Sequence, residues 1–143
     1  MSLSARKAIV ADSAAITKLS NQLGYSITET DTLANLSVIF QSDKDIVVVA
    51  LWNNEIAGWI HVFNTIRVES GRFCEIGGLV VDEQYQRKGI GRLLVNEARR
   101  WTTEQGVSSL RVRCNIKRTE AHDFYESIGF KENKQQKVFE IKS

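Results

Sequence analysis

Proline is absent from this chain of 143 residues, cysteine occurs only twice, and no apolar run has the length of a membrane-spanning helix. Cys74 and Cys114 form no Cys-x-x-Cys pair, so neither a zinc site nor a redox motif is indicated, and no metal is expected. The N-terminus has no apolar signal-peptide region, which predicts a cytoplasmic protein without a membrane partner. The net charge of +2 comes without a long Lys/Arg run, so no nucleic-acid partner is expected.

The composition, with 43% hydrophobic and 25% charged residues, is typical of a globular protein, and the length predicts one domain over residues 1–143. Apolar runs and helical spacings alternate in the order β-α-α-β-β-β-α-β-α-β-β, which predicts an α/β domain with a mixed sheet. The first strand is expected at residues 8–10, and the last two are expected as a closing hairpin of residues 130–132 and 138–141. The strand predicted at residues 73–81 contains two consecutive glycines, which indicate a bulge or a close approach by a ligand.

Residues 79–94 combine the end of a strand, a short basic glycine loop and the start of a helix. The first N–H groups of a helix have no partner within it, and the helix dipole favours negative charge there, so this arrangement suits an anion. Gly89 and Gly91 allow the backbone to approach a phosphate without a Cβ atom in the way, and Arg87 and Lys88 add positive charge. A simple turn softened by glycines is the alternative for this loop taken alone.

This loop differs from two common phosphate-binding loops. The Walker A pattern Gly-x-x-x-x-Gly-Lys-Ser/Thr is absent, and the dinucleotide fingerprint would need a third glycine where Leu94 stands. The sequence Gln86-x-x-Gly89-x-Gly91 instead resembles the acetyl-CoA loop of the GNAT superfamily of N-acetyltransferases, whose pattern is Gln/Arg-x-x-Gly-x-Gly/Ala.

A second motif carries the same resemblance in the C-terminal part of the chain. Asn115 ends a predicted strand and is followed by a predicted helix that ends in Phe124-Tyr125-Glu126-x-x-Gly129-Phe130. This arrangement resembles the C-terminal block of the GNAT superfamily. The two motifs stand in the order that the family requires, and the resemblance covers nearly the full chain.

The resemblance implies a single-domain GNAT-like fold, in which a mixed central sheet is splayed between two parallel strands and has helices on both faces. Strands 73–81 and 110–114 would be the parallel pair, and the pantetheine arm of acetyl-CoA would enter the gap between them. An open strand edge and an anion loop agree physically with this placement. The cofactor-binding residues that the resemblance implies are Leu79, Val80, Val81, Gln86, Arg87, Lys88, Gly89, Ile90, Gly91 and Asn115.

In this family an amine attacks the thioester directly, so the reaction needs a base, a donor for the tetrahedral oxygen and an acid for the thiolate. Glu75 is the candidate base, because a carboxylate in an apolar strand is unusual and burial makes a carboxylate a stronger base. An ion pair with Lys or Arg, or binding of the substrate's cation, remains open for Glu75.

Tyr125 matches the tyrosine of the family motif, which implies the role of acid; packing in the core is the alternative. His61 and His122 have no partner evident in the sequence.

The acceptor is expected beside Tyr25, Trp59 and Glu75. The predicted function is transfer of an acetyl group from acetyl-CoA to a primary amine, in a ternary complex, with a small molecule as the favoured acceptor. A protein or peptide N-acetyltransferase and a non-catalytic CoA-binding sensor are the alternatives. The resemblance does not identify the amine, and a homodimer is the assembly that it makes plausible.

Overall fold

The computed structural model describes residues 2–143, which form two compact units: one ends at Arg113, and the other comprises Cys114–Ser143. The strands of the first unit are β1 (Leu3–Lys7), β2 (Asp45–Trp52), β3 (Glu55–Arg67), β4 (Gly71–Val81) and β5 (Leu110–Val112). Its helices are α1 (Ser13–Gln22), α2 (Glu29–Ile39) and α3 (Ile90–Glu104), and the second unit contains α4 (Thr119–Ser127). None of these helices, within residues 2–143, is long and apolar enough to cross a membrane.

The five strands that the structure describes form one sheet in the order β1-β2-β3-β4-β5. The first three pairings are antiparallel, whereas β4 and β5 are parallel, so the predicted mixed sheet with a parallel pair is confirmed. The parallel ladder is short and runs only from Cys74 opposite Leu110 to Ile76 opposite Val112. Beyond Ile76, β4 continues to Val81 with β3 as its partner on the other side.

Helices cover both faces of this sheet, as the family resemblance implied. Successive residues of a strand point to opposite faces, and Gly58 and Trp59 of β3 illustrate this alternation. A Cβ atom on Gly58 would lie within about 3 Å of side chains on α3. Trp59 packs instead against a core cluster that includes Ile16 of α1 and Leu36 of α2.

The first strand lies at Leu3–Lys7, so the prediction of residues 8–10 was wrong. The ladder with β2 ends at Lys7, and Ile9 leads into a single 3-10 turn. The reason is the Asp12 carboxylate, whose Oδ2 accepts from the Ile9 N–H at 2.8 Å and from Arg6 at 2.8 Å. These bonds bend the chain after Lys7, although the apolar residues that follow are typical of a strand.

The closing hairpin expected at residues 130–132 and 138–141 was also wrong, because residues 130–143 contain neither strand nor helix. Val138, Phe139 and Ile141 are 86%, 87% and 94% exposed. A hairpin of two short strands needs a third strand or a helix against which to bury its apolar face. Within the second unit these side chains have no such surface, so their alternation alone does not form strands.

Asp12 directly precedes α1, and its carboxylate links β1 to the start of this helix. The side chain is buried, and the guanidinium of Arg6 donates to both of its oxygens, at 2.8 and 3.0 Å. The hydrogen bond from Arg6, opposed by burial and supported by the Ile9 N–H, lowers the pKa of the Asp12 carboxyl. Its stabilising effect is therefore complete above the ordinary carboxyl pKa of about 3.9 and is lost as the pH falls through the lowered value.

We expect Asp12→Asn to lower the free energy of unfolding at neutral pH by about 1–3 kcal/mol, because a charged hydrogen-bonded pair is lost. The difference from the unmodified protein should shrink as the pH falls from about 4 through the lowered pKa of Asp12, because the unfolded chain binds a proton first and the folded carboxyl only at lower pH. Denaturant unfolding at several pH values measures this, with Asp43→Asn, an exposed carboxyl, as the control. A difference that stays constant down to strongly acidic pH would show that the charge of Asp12 is not its source.

Candidate functional site

The ladder between the two parallel strands ends at Ile76, and Gly77, which is exposed, is the first residue of β4 beyond it. From Gly77 to Val81, the edge of β4 that faces away from β3 has no strand partner among residues 2–143. Backbone N–H and C=O groups on such an edge can pair with an extended ligand as a further strand would. Leu79, Val80 and Val81, which were predicted to bind the pantetheine arm, lie on this stretch. The Val80 side chain is buried, so only its main chain can meet a ligand.

The expected irregularity at the glycine pair of β4 is confirmed. The register between β3 and β4 shifts between His61 and Val62, so that Gly77 is an extra residue in β4. A Cβ atom on Gly78 would lie 2.7 Å from the Trp59 ring, and one on Gly77 would lie 3.1 Å from Nδ1 of His61. The absence of side chains therefore lets two aromatic rings approach the backbone where β4 and β5 separate.

The glycine loop and the start of α3 also have the predicted geometry. Gly89 is the residue before α3 and has a φ of 81°, in the left-handed region that favours glycine, and residues 86–89 are exposed. The first N–H groups of this 15-residue helix have no carbonyl four residues earlier within it. Lys88 lies over the Trp52 ring, with Nζ 5.6 Å from its centre. Ile90 is buried, so it can offer only its main chain to a ligand.

Glu75 is buried, as expected, but its carboxylate forms an ion pair. Oε1 accepts from Nε of Arg113 at 3.0 Å, and the two side chains are 10% and 54% exposed. This pairing is one of the alternatives that the sequence left open. It holds one oxygen of Glu75 towards β5 and gives the buried charge a partner, as a stable fold requires.

Sequence reasoning missed a second polar pair on the same face of the sheet. Nε2 of His61 lies 2.8 Å from Oδ1 of Asp45, and both side chains are 22% exposed. In the β2–β3 ladder His61 stands opposite Val47, two residues from Asp45, so the pair is a diagonal contact on one face. The available signal was this spacing on a predicted hairpin, but it becomes a contact only when the register is known.

The predicted acceptor residues differ in their surroundings. Tyr25 lies in the loop after α1 and is 61% exposed. The Trp59 ring lies across Gly78, and its Nε1 is buried without a hydrogen-bond partner among residues 2–143. A buried N–H without a partner is costly, and a ligand oxygen in reach would remove that cost.

Asn115 and Tyr125 belong to the second unit. Asn115 is exposed; its Oδ1 accepts from the Lys117 N–H at 2.9 Å, and its main-chain oxygen is 2.9 Å from Nε2 of His122. Tyr125 packs edge-on against Phe124 and Phe130, with ring centres 5.1 and 5.4 Å away.

The hydroxyl of Tyr125 has an unusually high proton affinity. Burial, together with a smaller effect of Cys114 and against the lowering effect of Arg118, raises the pKa of Tyr125 to about 12. The phenol therefore stays protonated throughout the neutral range and remains a hydrogen-bond donor. It is a weaker acid than an ordinary thiol, whose pKa is about 8.5.

A cleft of about 320 Å³ lies elsewhere, between α1, the start of β3 and the turn after β4. Its polar lining includes Lys18, Glu55 and Asp82. It adjoins the C-terminal end of β4 rather than Gly77, and its residues lie outside both sequence motifs. We therefore place the candidate site at the separation of β4 and β5 and not in this cleft.

Comparison with known proteins agrees with this architecture. The model of the acetyltransferase (GNAT) family matches residues 15–130. An uncharacterised N-acetyltransferase of Chlorobaculum tepidum, CT2212, is 29% identical over 127 residues, which are 89% of this chain and 74% of that protein. The chain therefore belongs to the GNAT acetyltransferase family, and its activity class is that of an acetyl-CoA-dependent N-acetyltransferase.

Two solved structures illustrate the shared fold. The aminoglycoside acetyltransferase AAC(6')-Iy, in complex with a bisubstrate analogue of CoA and acetylneamine, is 16% identical with a TM-score of 0.88, and all of both chains is covered. Glucosamine-6-phosphate N-acetyltransferase from Arabidopsis thaliana is 20% identical with a TM-score of 0.84, and the match covers 99% of this chain and 100% of that one. At this identity the likeness shows the fold alone.

Proposed function

We propose that this protein transfers the acetyl group of acetyl-CoA to a primary amine of a small molecule, by direct attack in a ternary complex. The observation that carries the proposal is the open edge of β4 from Gly77 to Val81, which begins beside the buried polar side chains of β2, β3 and β4. An extended pantetheine arm can pair with that edge, and its thioester would then lie near Gly77.

The cofactor is held in this proposal at two places of different chemistry. Main-chain groups of Leu79, Val80 and Val81 pair with the pantetheine arm, and main-chain N–H near Leu79 or Val80 donates to the tetrahedral oxygen. The anion loop holds the pyrophosphate through Gln86, Arg87, Lys88 and the N–H groups of residues 89–91. Asn115 binds the pantetheine.

A small cationic amine fits the proposed acceptor face better than a neutral ligand does. The carboxylates of Asp45 and Glu75 lie on this face, where each is largely buried, and an ammonium group is their natural complement. Trp59 and Tyr25 would supply a hydrogen-bond donor and an exposed aromatic surface. The two structurally similar enzymes described above are named for an aminoglycoside and for glucosamine 6-phosphate, so amino sugars are the first acceptors to test. A peptide amine and a non-catalytic CoA sensor are the competing functions.

A direct test is calorimetric titration with acetyl-CoA, followed by a thiol-release assay. The acceptor panel should contain kanamycin, glucosamine 6-phosphate, spermidine, free amino acids and a peptide with a free N-terminus. We expect acetyl-CoA binding and thiol release with one class of small amine. Release with the peptide alone would support the protein acetyltransferase, whereas binding without release from any acceptor would support the sensor.

We expect Gly89→Glu to abolish detectable acetyl-CoA binding, because it adds a side chain and a negative charge where the pyrophosphate is proposed to lie. Gly106→Glu is a matched control: Gly106 also has a positive φ, 74° against 81°, and a Cβ atom meets nothing within 4 Å at either position. Both variants carry the same backbone strain and charge, so the control should keep its affinity. Equal affinities of the two variants would remove the anion-loop assignment.

Tyr125 is proposed to stabilise the departing thiolate by donating a hydrogen bond rather than by releasing its proton. A phenol with a pKa of about 12 holds its proton more firmly than the thiol that would receive it, with a pKa of about 8.5. We expect Tyr125→Phe to lower kcat by about tenfold to a hundredfold while acetyl-CoA affinity changes little. Steady-state kinetics and titration measure both quantities, and an unchanged kcat would leave Tyr125 with a packing role only.

A further inference from the structure

The hydrogen bond between His61 and Asp45 defines which nitrogen of the imidazole carries the hydrogen. Oδ1 of Asp45 lies 2.8 Å from Nε2, and a carboxylate can only accept, so Nε2 is the donor. In the neutral ring the lone pair then lies on Nδ1. Nδ1 has no hydrogen-bond partner among residues 2–143.

Nδ1 lies beside Gly77, the first residue of β4 beyond its ladder with β5. A Cβ atom on Gly77 would lie only 3.1 Å from Nδ1, so a side chain at this position would fill the space in front of it. The absence of a side chain on Gly77 leaves this point, which is also 3.2 Å from the Phe63 ring, unfilled, and Gly77 is exposed and is the first residue of β4 beyond the β4–β5 ladder. The imidazole therefore presents a lone pair beside the proposed position of the thioester.

We propose that His61 is the catalytic base of the acetyl transfer and that Asp45 is its positioning residue. This inference rests on the proposed function and deepens it, because it assigns the proton acceptor on the amine side of the reaction. Glu75, which is held by Arg113, then contributes its charge to the binding of the acceptor's ammonium group.

The proton and electron balance of the step is complete without another reactant. Nδ1 of His61 takes one proton from the acceptor's ammonium group, and the freed lone pair forms the C–N bond to the thioester carbon. The C–S bond then breaks, and the second proton of the nitrogen passes to the CoA thiolate, which leaves as the thiol. His61 returns its proton to solvent, and Asp45 stabilises the imidazolium in the interval.

The chemistry of the two candidates favours His61 over Glu75. Imidazole changes charge in the neutral range, so it can accept a proton and release it again in each turnover. Oε1 of Glu75 already accepts from Arg113 at 3.0 Å. The charged side chains on this face include Asp45 from β2, Arg67 from β3, Glu75 from β4, Arg111 from β5 and Arg113, which follows β5. Asp45 bonds the ring of His61 directly, whereas Arg67 and Arg111 lie over the Phe73 ring.

The test compares two acceptors of different protonation at neutral pH: kanamycin, whose amines are largely ammonium groups, and hydroxylamine, which is largely neutral. We expect His61→Gln to lower kcat with kanamycin by about a hundredfold or more. With hydroxylamine the loss should stay below about tenfold, because no proton needs to be removed before attack. Equal losses with both acceptors, or no loss with kanamycin, would overturn the proposal.

A second set of variants tests the positioning role of Asp45. Asp45→Asn should lower kcat with kanamycin by about tenfold or more and leave kcat with hydroxylamine nearly unchanged. Asp43→Asn, two residues earlier and exposed, is the matched control and should change kcat with neither acceptor. Glu75→Gln should raise KM for kanamycin more than it lowers kcat. A loss of kcat confined to Glu75→Gln would assign the base to Glu75 and overturn the proposal for His61. Acetyl-CoA affinity and thermal unfolding verify that each variant is folded.

A measurement without an acceptor separates this inference from the proposed function. Nitrogen-15 NMR of the protein, with the His61 signals assigned by their loss in His61→Gln, reports which ring nitrogen carries the hydrogen. The Nε2–H form above neutral pH supports the proposal, and an Nδ1–H form overturns it. If the unmodified protein acetylates neither kanamycin nor hydroxylamine, the proposed function fails for these amines, and this spectrum still decides whether His61 can serve as the base.

Discussion

The end of the parallel ladder at Ile76 is the constraint on which the rest of the site depends. A backbone group in the middle of a sheet is satisfied by its neighbours and is closed to ligands. β4 is an interior strand from Cys74 to Ile76, and among residues 2–143 it has a strand partner on one side only from Gly77 to Val81. The antiparallel pairing with β3 and the cover of α3 keep this second half of β4 in place. A strand edge can therefore stay open to a ligand without losing its position.

The glycine pair connects this open edge to the polar face beside it. An extra residue in one strand of an antiparallel pair bends that strand and redirects its side chains. Here Gly77 and Gly78 have no side chains to redirect, and the imidazole of His61 and the indole of Trp59 lie 3.1 and 2.7 Å from where the Cβ atoms of these glycines would be. The bulge thus brings aromatic side chains of β3 up to the backbone where β4 begins to offer its free edge. The same two glycines therefore let the aromatic rings pack against β4 and keep its free edge accessible to a ligand.

Features set by local chemistry could be predicted from the sequence, whereas those set by pairing could not. The glycine before α3 belongs to a motif of neighbours in the chain, so residue type and spacing were enough to predict it. The contact of Asp45 with His61 depends on the register of β2 and β3, and alternation alone does not fix the register. The hairpin expected near the C-terminus failed for a related reason. Alternating apolar residues form strands only where a surface exists to bury them.

The charges on the acceptor face explain why two carboxylates can be largely buried there. Glu75 is compensated by a permanent cation, Arg113, but Asp45 is bonded to a side chain that can be neutral. While His61 is neutral, the charge of Asp45 is only partly offset, which is the basis for the proposal that this face attracts an ammonium ion. Once the proton has moved to His61, Asp45 has a cationic partner and the amine is neutral. The proposed transfer therefore removes the attraction that brought the acceptor to the site while it creates the nucleophile, so binding and activation of the amine draw on the same pair of side chains.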